Sequence, residues 1–391
     1  MNNLINNRLL SYPLHNTQYF HMHANEPLRL KIDLSALKDN WNSMNVLSGC
    51  SRTAAVVKDN AYGLGFEKIA QTLYNSGVQD FFVAHVGEGV KLRAYVPKAK
   101  IFVLYGIHPG EEKILFDANL IPVISSSQQL TFYLKLMSNG FSHPYALQVD
   151  TGFNRLGLSL QEALNFAKNF SNKKSDKLSL IMSHLACSEN PVSLMNSSQL
   201  EKFLTLMKSY KGIEASLASS AGILLGENYH FQLTRPGISL YGGTPAINKL
   251  NPMQTVVTAE ARIILIREAA AGEVISYGGQ KKLKRNSLIA VAAIGYADGY
   301  PLTLSGIDLE HNQAQFPGGK GFIKGYMVPI LGKITMDITM FDITDSIGIE
   351  VGDYIEVFGS NIKLDDVALA SRTTNYDLLV RIGTRYARFY T

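Results

Sequence analysis

The sequence predicts an α/β plus all-β protein: an N-terminal (β/α)8 TIM-like barrel over residues 27–250, then a C-terminal β-strand domain over 251–391. Three observations predict it. From Leu28 to about Gly243, short apolar runs alternate with longer amphipathic ones, the pattern of strands and helices in a parallel barrel. After about Asn251 the later runs alternate more strictly and are joined by Gly-containing turns, as in a sheet with one wet side. Polar residues (Lys58, Asp150, His184, Ser219-Ser220 and Arg235) fall where strands of the first part end, the chemical end of such a barrel.

Taken in order, Leu28–Asp33 alternates at period two and leads into Leu34–Leu47, whose Leu34, Leu37, Trp41 and Met44 are spaced as one helical face. Eight strands follow: Ala54–Val57, Asp80–Ala84, Ile101–Tyr105, Ile121–Ser125, Tyr145–Asp150, Leu178–His184, Glu214–Ser219 and Phe231–Arg235. Between them Glu67–Asn75 and Gln161–Asn169 show the clearest helical periodicity. In the second part Val256–Leu265, Leu288–Ile294, Met327–Leu331, Ile338–Ile343, Tyr354–Phe358 and Leu378–Ile382 read as strands, and Lys363–Ser371 as a short helix. Met1–Glu26, rich in Asn and His and without an apolar core of signal-peptide length, reads as a flexible or peripherally docked extension.

Composition narrows the class. An apolar fraction of 46% with 18% charged residues is ordinary for a soluble globular protein. A net charge of +5 is small for 391 residues and argues against a nucleic-acid or membrane partner. Two cysteines, Cys50 and Cys187, build no disulfide framework and suit a reducing, cytoplasmic setting. No apolar run reaches the roughly 18 residues of a membrane span.

The most informative stretch is Ala54–Gly65. Four small or β-branched apolar residues read as a buried strand, which ends on Lys58 and passes into Asn60-Ala61-Tyr62-Gly63-Leu64-Gly65. A lysine leaving an apolar strand loses hydration, which favours the neutral amine that Schiff-base chemistry needs. A strand-end lysine can equally extend its stem and keep its charge in water.

Lys58 with Tyr62 four residues on resembles the cofactor-lysine signature of alanine racemases, pyridoxal-phosphate enzymes with a barrel and a β domain. The resemblance continues through Val149-Asp150-Thr151-Gly152-Phe153-Asn154-Arg155-Leu156-Gly157, Ser183-His184, Ser219-Ser220-Ala221, Arg235-Pro236-Gly237-Ile238-Ser239-Leu240-Tyr241-Gly242 and Ile275-Ser276-Tyr277-Gly278. Gly295-Tyr296-Ala297-Asp298-Gly299-Tyr300, Thr335-Met336-Asp337 and Asn375-Tyr376-Asp377 follow in family order. It implies interconversion of L- and D-alanine by two bases, supplying D-alanine for peptidoglycan, with pyridoxal 5'-phosphate as cofactor and no metal.

The resemblance also assigns residues. Lys58 carries the cofactor and serves one face of the substrate Cα, and Tyr277 serves the other; Tyr62, Ser220 and Tyr376 offer hydroxyls to the phosphate, and Gly237 and Ile238 offer backbone N–H groups. Arg235 donates to the ring nitrogen, His184 holds the ring, Arg155 clamps the substrate carboxylate, and Met336 contributes its N–H. Tyr277 and Met336 are expected to enter the neighbouring subunit's site, which implies a homodimer with composite sites. Residue by residue, plainer readings exist: a strand-ending turn for Arg235-Pro236-Gly237, a satisfied core histidine for His184 and a loop aromatic for Tyr277.

The chain departs from the family pattern at three places. Gln148 stands where many members have a lysine that becomes carbamylated to hold the carboxylate-binding arginine. Leu64 replaces a histidine of the lysine loop, and Leu302 stands where many relatives have an arginine at the site's entrance. The alternatives are a broad-specificity racemase, acting on serine or lysine, and a barrel-plus-β decarboxylase. The decarboxylases bind the ring nitrogen with a carboxylate and carry a Gly-rich phosphate loop; Arg235 and the lack of a Gly-Gly-Gly run argue against that reading. A non-catalytic single-barrel cofactor-binding protein would lack the second domain and Tyr277.

Overall fold

The computed structural model describes residues 26–169, 177–246, 251–308 and 318–391; all of the expected extension except Glu26 lies outside them. Seven parallel strands are hydrogen-bonded in chain order: Ala55–Val56, Asp80–Val83, Lys100–Val103, Ile121–Ile124, Tyr145–Gln148, Leu178–Met182 and Glu214–Ser216. The eighth, Leu233–Thr234, runs parallel to Arg52–Thr53, and a Ser219–Arg235 bridge ties it to the seventh. Arg52–Thr53 continues across Ala54 into Ala55–Val56, with the Ala54 N–H donating to the Thr234 carbonyl at 2.9 Å. The expected barrel is therefore closed.

Its strands are mostly apolar between their ends because both of their faces are covered. Ala54, Phe82, Phe102, Ile121, Val123, Ala146, Leu180, Met182 and Leu233 fill the interior, with Phe82 and Phe102 stacked at 4.6 Å. The alternate residues, among them Phe81, Ile101, Leu147 and Ile181, face the helices. At the end away from the site Arg52 binds Asp80 at 3.2 Å and both Glu214 oxygens at 2.7 and 2.8 Å, linking three strands.

The second sheet has the order Tyr326–Pro329, Lys320–Ile323, Tyr354–Phe358, Val257–Ala269, Leu28–Ile32, Ala387–Tyr390. Ser287–Ala292 pairs with the far half of Val257–Ala269 and with Thr339–Asp342. A register shift between Ile263 and Leu265 lets the 13-residue strand Val257–Ala269 serve both groups of partners.

Two sequence expectations change. Leu378–Ile382 is no strand: Asn375–Val380 is a helix, capped by the Thr374 hydroxyl accepting the Asp377 N–H at 3.2 Å. The adjacent buried Leu378 and Leu379 look strand-like, but the Thr-x-x-Asp start decides for a helix. The Leu28–Ile32 strand, grouped by sequence with residues 27–250, pairs antiparallel with Val257–Ala269 and parallel with Ala387–Tyr390. The described residues thus contribute a first strand to the second sheet, wind the barrel, and return to that sheet with Ala387–Tyr390. Ala387–Tyr390 and Lys320–Ile323 are absent from the sequence reading, because Arg388 in one and Lys320-Gly321 in the other interrupt any apolar run.

Candidate active site

A cavity of about 360 Å³ opens at the C-terminal ends of the barrel strands, in the size range of small-molecule sites. Of the sequence candidates, Lys58, Tyr62, Arg155, His184, Ser220, Arg235, Gly237, Ile238 and Tyr376 all line it. Gln148 lines it too, over a floor of Phe82 and Met182. Three cationic side chains and no carboxylate face this space, which makes it a site for anions.

Lys58 begins an unusual turn. Asp59, Asn60, Ala61 and Tyr62 all lie near φ +55°, so the chain makes one left-handed helical turn without glycine before Gly63. Each L-residue there costs roughly 1–2 kcal/mol, so its surroundings must hold it. The Ala61 N–H donates to Val57 O at 3.1 Å, and the Gly63 N–H to Asp59 O at 2.8 Å. Asn60 Oδ1 accepts the Phe66 N–H at 3.0 Å, and Glu88 accepts the Asp59 N–H at 2.7 Å. From the second domain Arg388 and Tyr390 bind the carbonyls of Gly63 and Leu64.

The turn aims Tyr62 inward, where it stacks on Tyr241 at 4.5 Å and lies 6.1 Å from the Tyr376 ring. Burial raises the Tyr62 and Tyr376 pKa values, so both hydroxyls remain donors at neutral pH. Gly237 passes so close that a Cβ would sit 2.4 Å from the Tyr62 hydroxyl and 3.5 Å from Val56 Cβ. This cradle admits a ligand only against bare backbone.

Ser220 Oγ accepts the N–H groups of Gly237 at 2.9 Å and Ser239 at 3.4 Å. With those lone pairs engaged, its own proton is free for an anion. The Gly237 N–H, expected to face the cofactor, here goes to Ser220, whereas Ile238 opens a short 3₁₀ turn and its N–H has no acceptor within that turn.

Arg235 is buried. Nη1 donates to the Ser216 hydroxyl and Nη2 to Ser183 O at 2.7 Å, leaving further donors of its fork for a ligand. Burial lowers its pKa, yet a guanidinium stays protonated at working pH. His184, edge-on to Phe153 at 5.5 Å, is lowered to about 3 by burial and then by the charges of Arg235, Arg155 and Lys58. It is therefore a neutral ring at the cavity wall.

Asp150 is a turn-former: its Oδ1 accepts the N–H groups of Gly152 at 2.7 Å and Phe153 at 2.8 Å. That turn presents Arg155, whose guanidinium stacks 4.1 Å from the Phe153 ring. Gln148 Nε2 donates to Leu156 O at 3.0 Å, so the amide braces the backbone next to Arg155.

Tyr277 and Met336 line no part of this chain's cavity. Both are exposed, at 73% and 54%. Ser276, just before Tyr277, holds φ +64° and ψ −176°, a region natural to glycine, fixed by its hydroxyl donating to Lys333 O at 2.7 Å. Sequence reasoning missed Glu88 and Arg388 as supports of the site, and held Tyr241 only as part of the Arg235–Gly242 motif, with no role assigned. Their partners are distant in sequence or are backbone groups, and neither leaves a sequence signal.

Fold and site define a two-domain barrel protein whose cavity gathers a lysine and two arginines and so suits an anionic ligand. Two family models, "Alanine racemase, N-terminal domain" and "Alanine racemase, C-terminal domain", match residues 32–245 and 256–390. The biosynthetic alanine racemase of Agrobacterium fabrum is 50% identical over 382 residues, covering 97% of each chain. An alanine racemase of Rhizobium meliloti is 48% identical over 364 residues, 93% of this chain and 96% of that one. The crystal structure of alanine racemase from Bartonella henselae with covalently bound pyridoxal phosphate superposes with TM-score 0.86 at 33% identity, covering 93% and 99%. The chain belongs to the alanine racemase family.

Proposed function

We propose that this protein interconverts L- and D-alanine with pyridoxal 5'-phosphate carried on Lys58. The observation that carries the reading is the carboxylate-free cavity joining Lys58, Arg235 and the Tyr62–Ser220–Gly237 cradle at the barrel's C-terminal end. The donor set fits the cofactor: hydroxyls and the Ile238 N–H for a phosphate, a buried guanidinium for an acceptor ring nitrogen, and an amine to bind the aldehyde. Bound there, the cofactor supplies the electron withdrawal that makes the alanine Cα proton removable.

The protein's own groups do the rest. Arg235 only donates, so it keeps the ring nitrogen unprotonated and moderates that withdrawal. Arg155 receives the substrate carboxylate, its plane fixed by stacking on Phe153. Lys58 Nζ takes or returns the proton on one face of Cα, and the Tyr277 hydroxyl acts on the other. Tyr277 and Met336 are supplied by a second copy of the chain in a homodimer. Their exposure outside this chain's own cavity, and the half-exposed Tyr105 in that cavity's lining, support that reading. The first domain holds the cofactor and the second presents the partner's base, in a cytoplasmic enzyme that supplies D-alanine for peptidoglycan.

The test is spectroscopic and chiral. Purified protein should show lysine-linked pyridoxal phosphate absorbance that is lost in Lys58→Ala, and should form D-alanine from L-alanine faster than D-serine or D-lysine from their L-forms. An unchanged spectrum in Lys58→Ala would remove the central claim, and a faster rate on serine or lysine would reassign the substrate. Tyr277→Phe should keep the cofactor and lose racemisation in both directions.

A further inference from the structure

Lys58 owes its direction to a peptide unit that the left-handed turn cannot hold by itself. The N–H of Asp59 is the first of the turn, and the first N–H groups of any helical turn lack internal acceptors. This N–H belongs to the peptide plane that follows the Lys58 Cα, so fixing it fixes the Lys58 ψ angle. Glu88 Oε1 accepts it at 2.7 Å. The other oxygen, Oε2, accepts the N–H of Ala84 at 2.7 Å. Ala84 directly follows the strand Asp80–Val83, the barrel neighbour of Ala55–Val56.

One half-buried carboxylate thus ties together the ends of the first two barrel strands at the point where Lys58 departs. Glu88 sits in the first turn of the helix Val86–Arg93, where a negative charge is favoured. It does not line the cavity. We propose that Glu88 is a positioning residue for the cofactor lysine: its carboxylate sets the peptide plane between Lys58 and Asp59 and so the angle at which the amine enters the cavity. The inference rests on reading Lys58 as the cofactor anchor.

The test compares full-length Glu88→Ala and Glu88→Gln with the parent protein, as purified with pyridoxal phosphate. Arg93→Ala serves as the structural control, because Arg93 supports the same helix through the carbonyls of Ala99, Ala118 and Asn119. In Glu88→Ala the Asp59 amide should exchange its hydrogen at least about tenfold faster, the loss expected for a charge-assisted hydrogen bond. The visible circular dichroism of the lysine-bound cofactor should fall, with kcat reduced at least about tenfold and the KM for alanine within about twofold. Glu88→Gln should be intermediate, since an amide can accept one of the two N–H groups but turns a donor toward the other. Arg93→Ala should lower Tm while leaving the dichroism in place. Unchanged Asp59 exchange in Glu88→Ala, or dichroism and kcat equal to the parent's, would overturn the proposal. A parent protein without a lysine chromophore would instead overturn the cofactor reading, and the Asp59 exchange would still decide whether Glu88 holds the turn.

Discussion

Arg388, in the last strand of the chain, donates from Nη2 to the carbonyl of Gly63 at 2.7 Å and from Nε to the same oxygen at 3.2 Å. Gly63 closes the left-handed turn that begins at Lys58, so the second domain grips the Lys58 loop of the first from within the same chain. Tyr390 adds its hydroxyl to the Leu64 carbonyl at 2.9 Å. Arg388→Ala should therefore loosen this loop. With a carbonyl left short of donors, we expect a loss of about 1–3 kcal/mol. It would appear as a lower Tm together with faster release of pyridoxal phosphate; a Tm drop with unchanged cofactor release would confine Arg388 to stability.

Gly237→Ala tests the cradle by adding a single methyl group. Gly237 has φ −127° and ψ −84°, outside the regions open to most L-residues, so the backbone resists an added methyl group as well as the lack of space. The new Cβ would meet the Tyr62 hydroxyl at 2.4 Å and its Cζ at 3.2 Å, and overpacking of this kind costs about 1–3 kcal/mol. We expect pyridoxal phosphate affinity to fall about tenfold or more by equilibrium titration, with the fold intact by far-ultraviolet dichroism.

Gln148 gives a prediction about buffer composition. Its amide braces Leu156 O and cannot form a carbamate, so the racemisation rate should be the same in carbonate-free and bicarbonate-supplemented buffer. A bicarbonate-dependent rate with Gln148 in place would show that Arg155 is held by something the amide does not supply.

His184 links stability to pH. An unfolded histidine takes its proton near pH 6.5, whereas the folded His184 takes it only near pH 3. Between those values the unfolded chain binds more protons, so stability falls as pH drops through that window. Tm should be lower at pH 5 than at pH 7, and His184→Asn should make the decline shallower. His143, which burial also lowers, leaves a residual slope.

A shared site can be tested by complementation. Lys58→Ala and Tyr277→Phe should each be inactive alone. Unfolded and refolded together, half of the dimers would be mixed and each would hold one intact site, restoring about a quarter of the parent activity. No recovery would show that both residues must come from one chain.

The sequence alone determined the barrel and most of its site. Strands buried on both faces must be apolar along their length, and the barrel's C-terminal rim must hold the polar residues, so Lys58, His184, Ser220 and Arg235 were legible where they stand. Two things were decided by tertiary structure alone, and one by a local cap that the apolar pattern masks. Leu28–Ile32 belongs to the second sheet because its partners are the distant Val257–Ala269 and Ala387–Tyr390, and a period of two identifies a strand but not its neighbour. Asn375–Val380 is a helix because the Thr374 cap outweighs a pattern too short to have a period. The left-handed turn at Asp59–Tyr62 persists because Glu88, Arg388 and Tyr390 hold its backbone from outside. Backbone groups carry no residue identity, so nothing in the sequence records that three remote side chains aim Lys58 into its cavity.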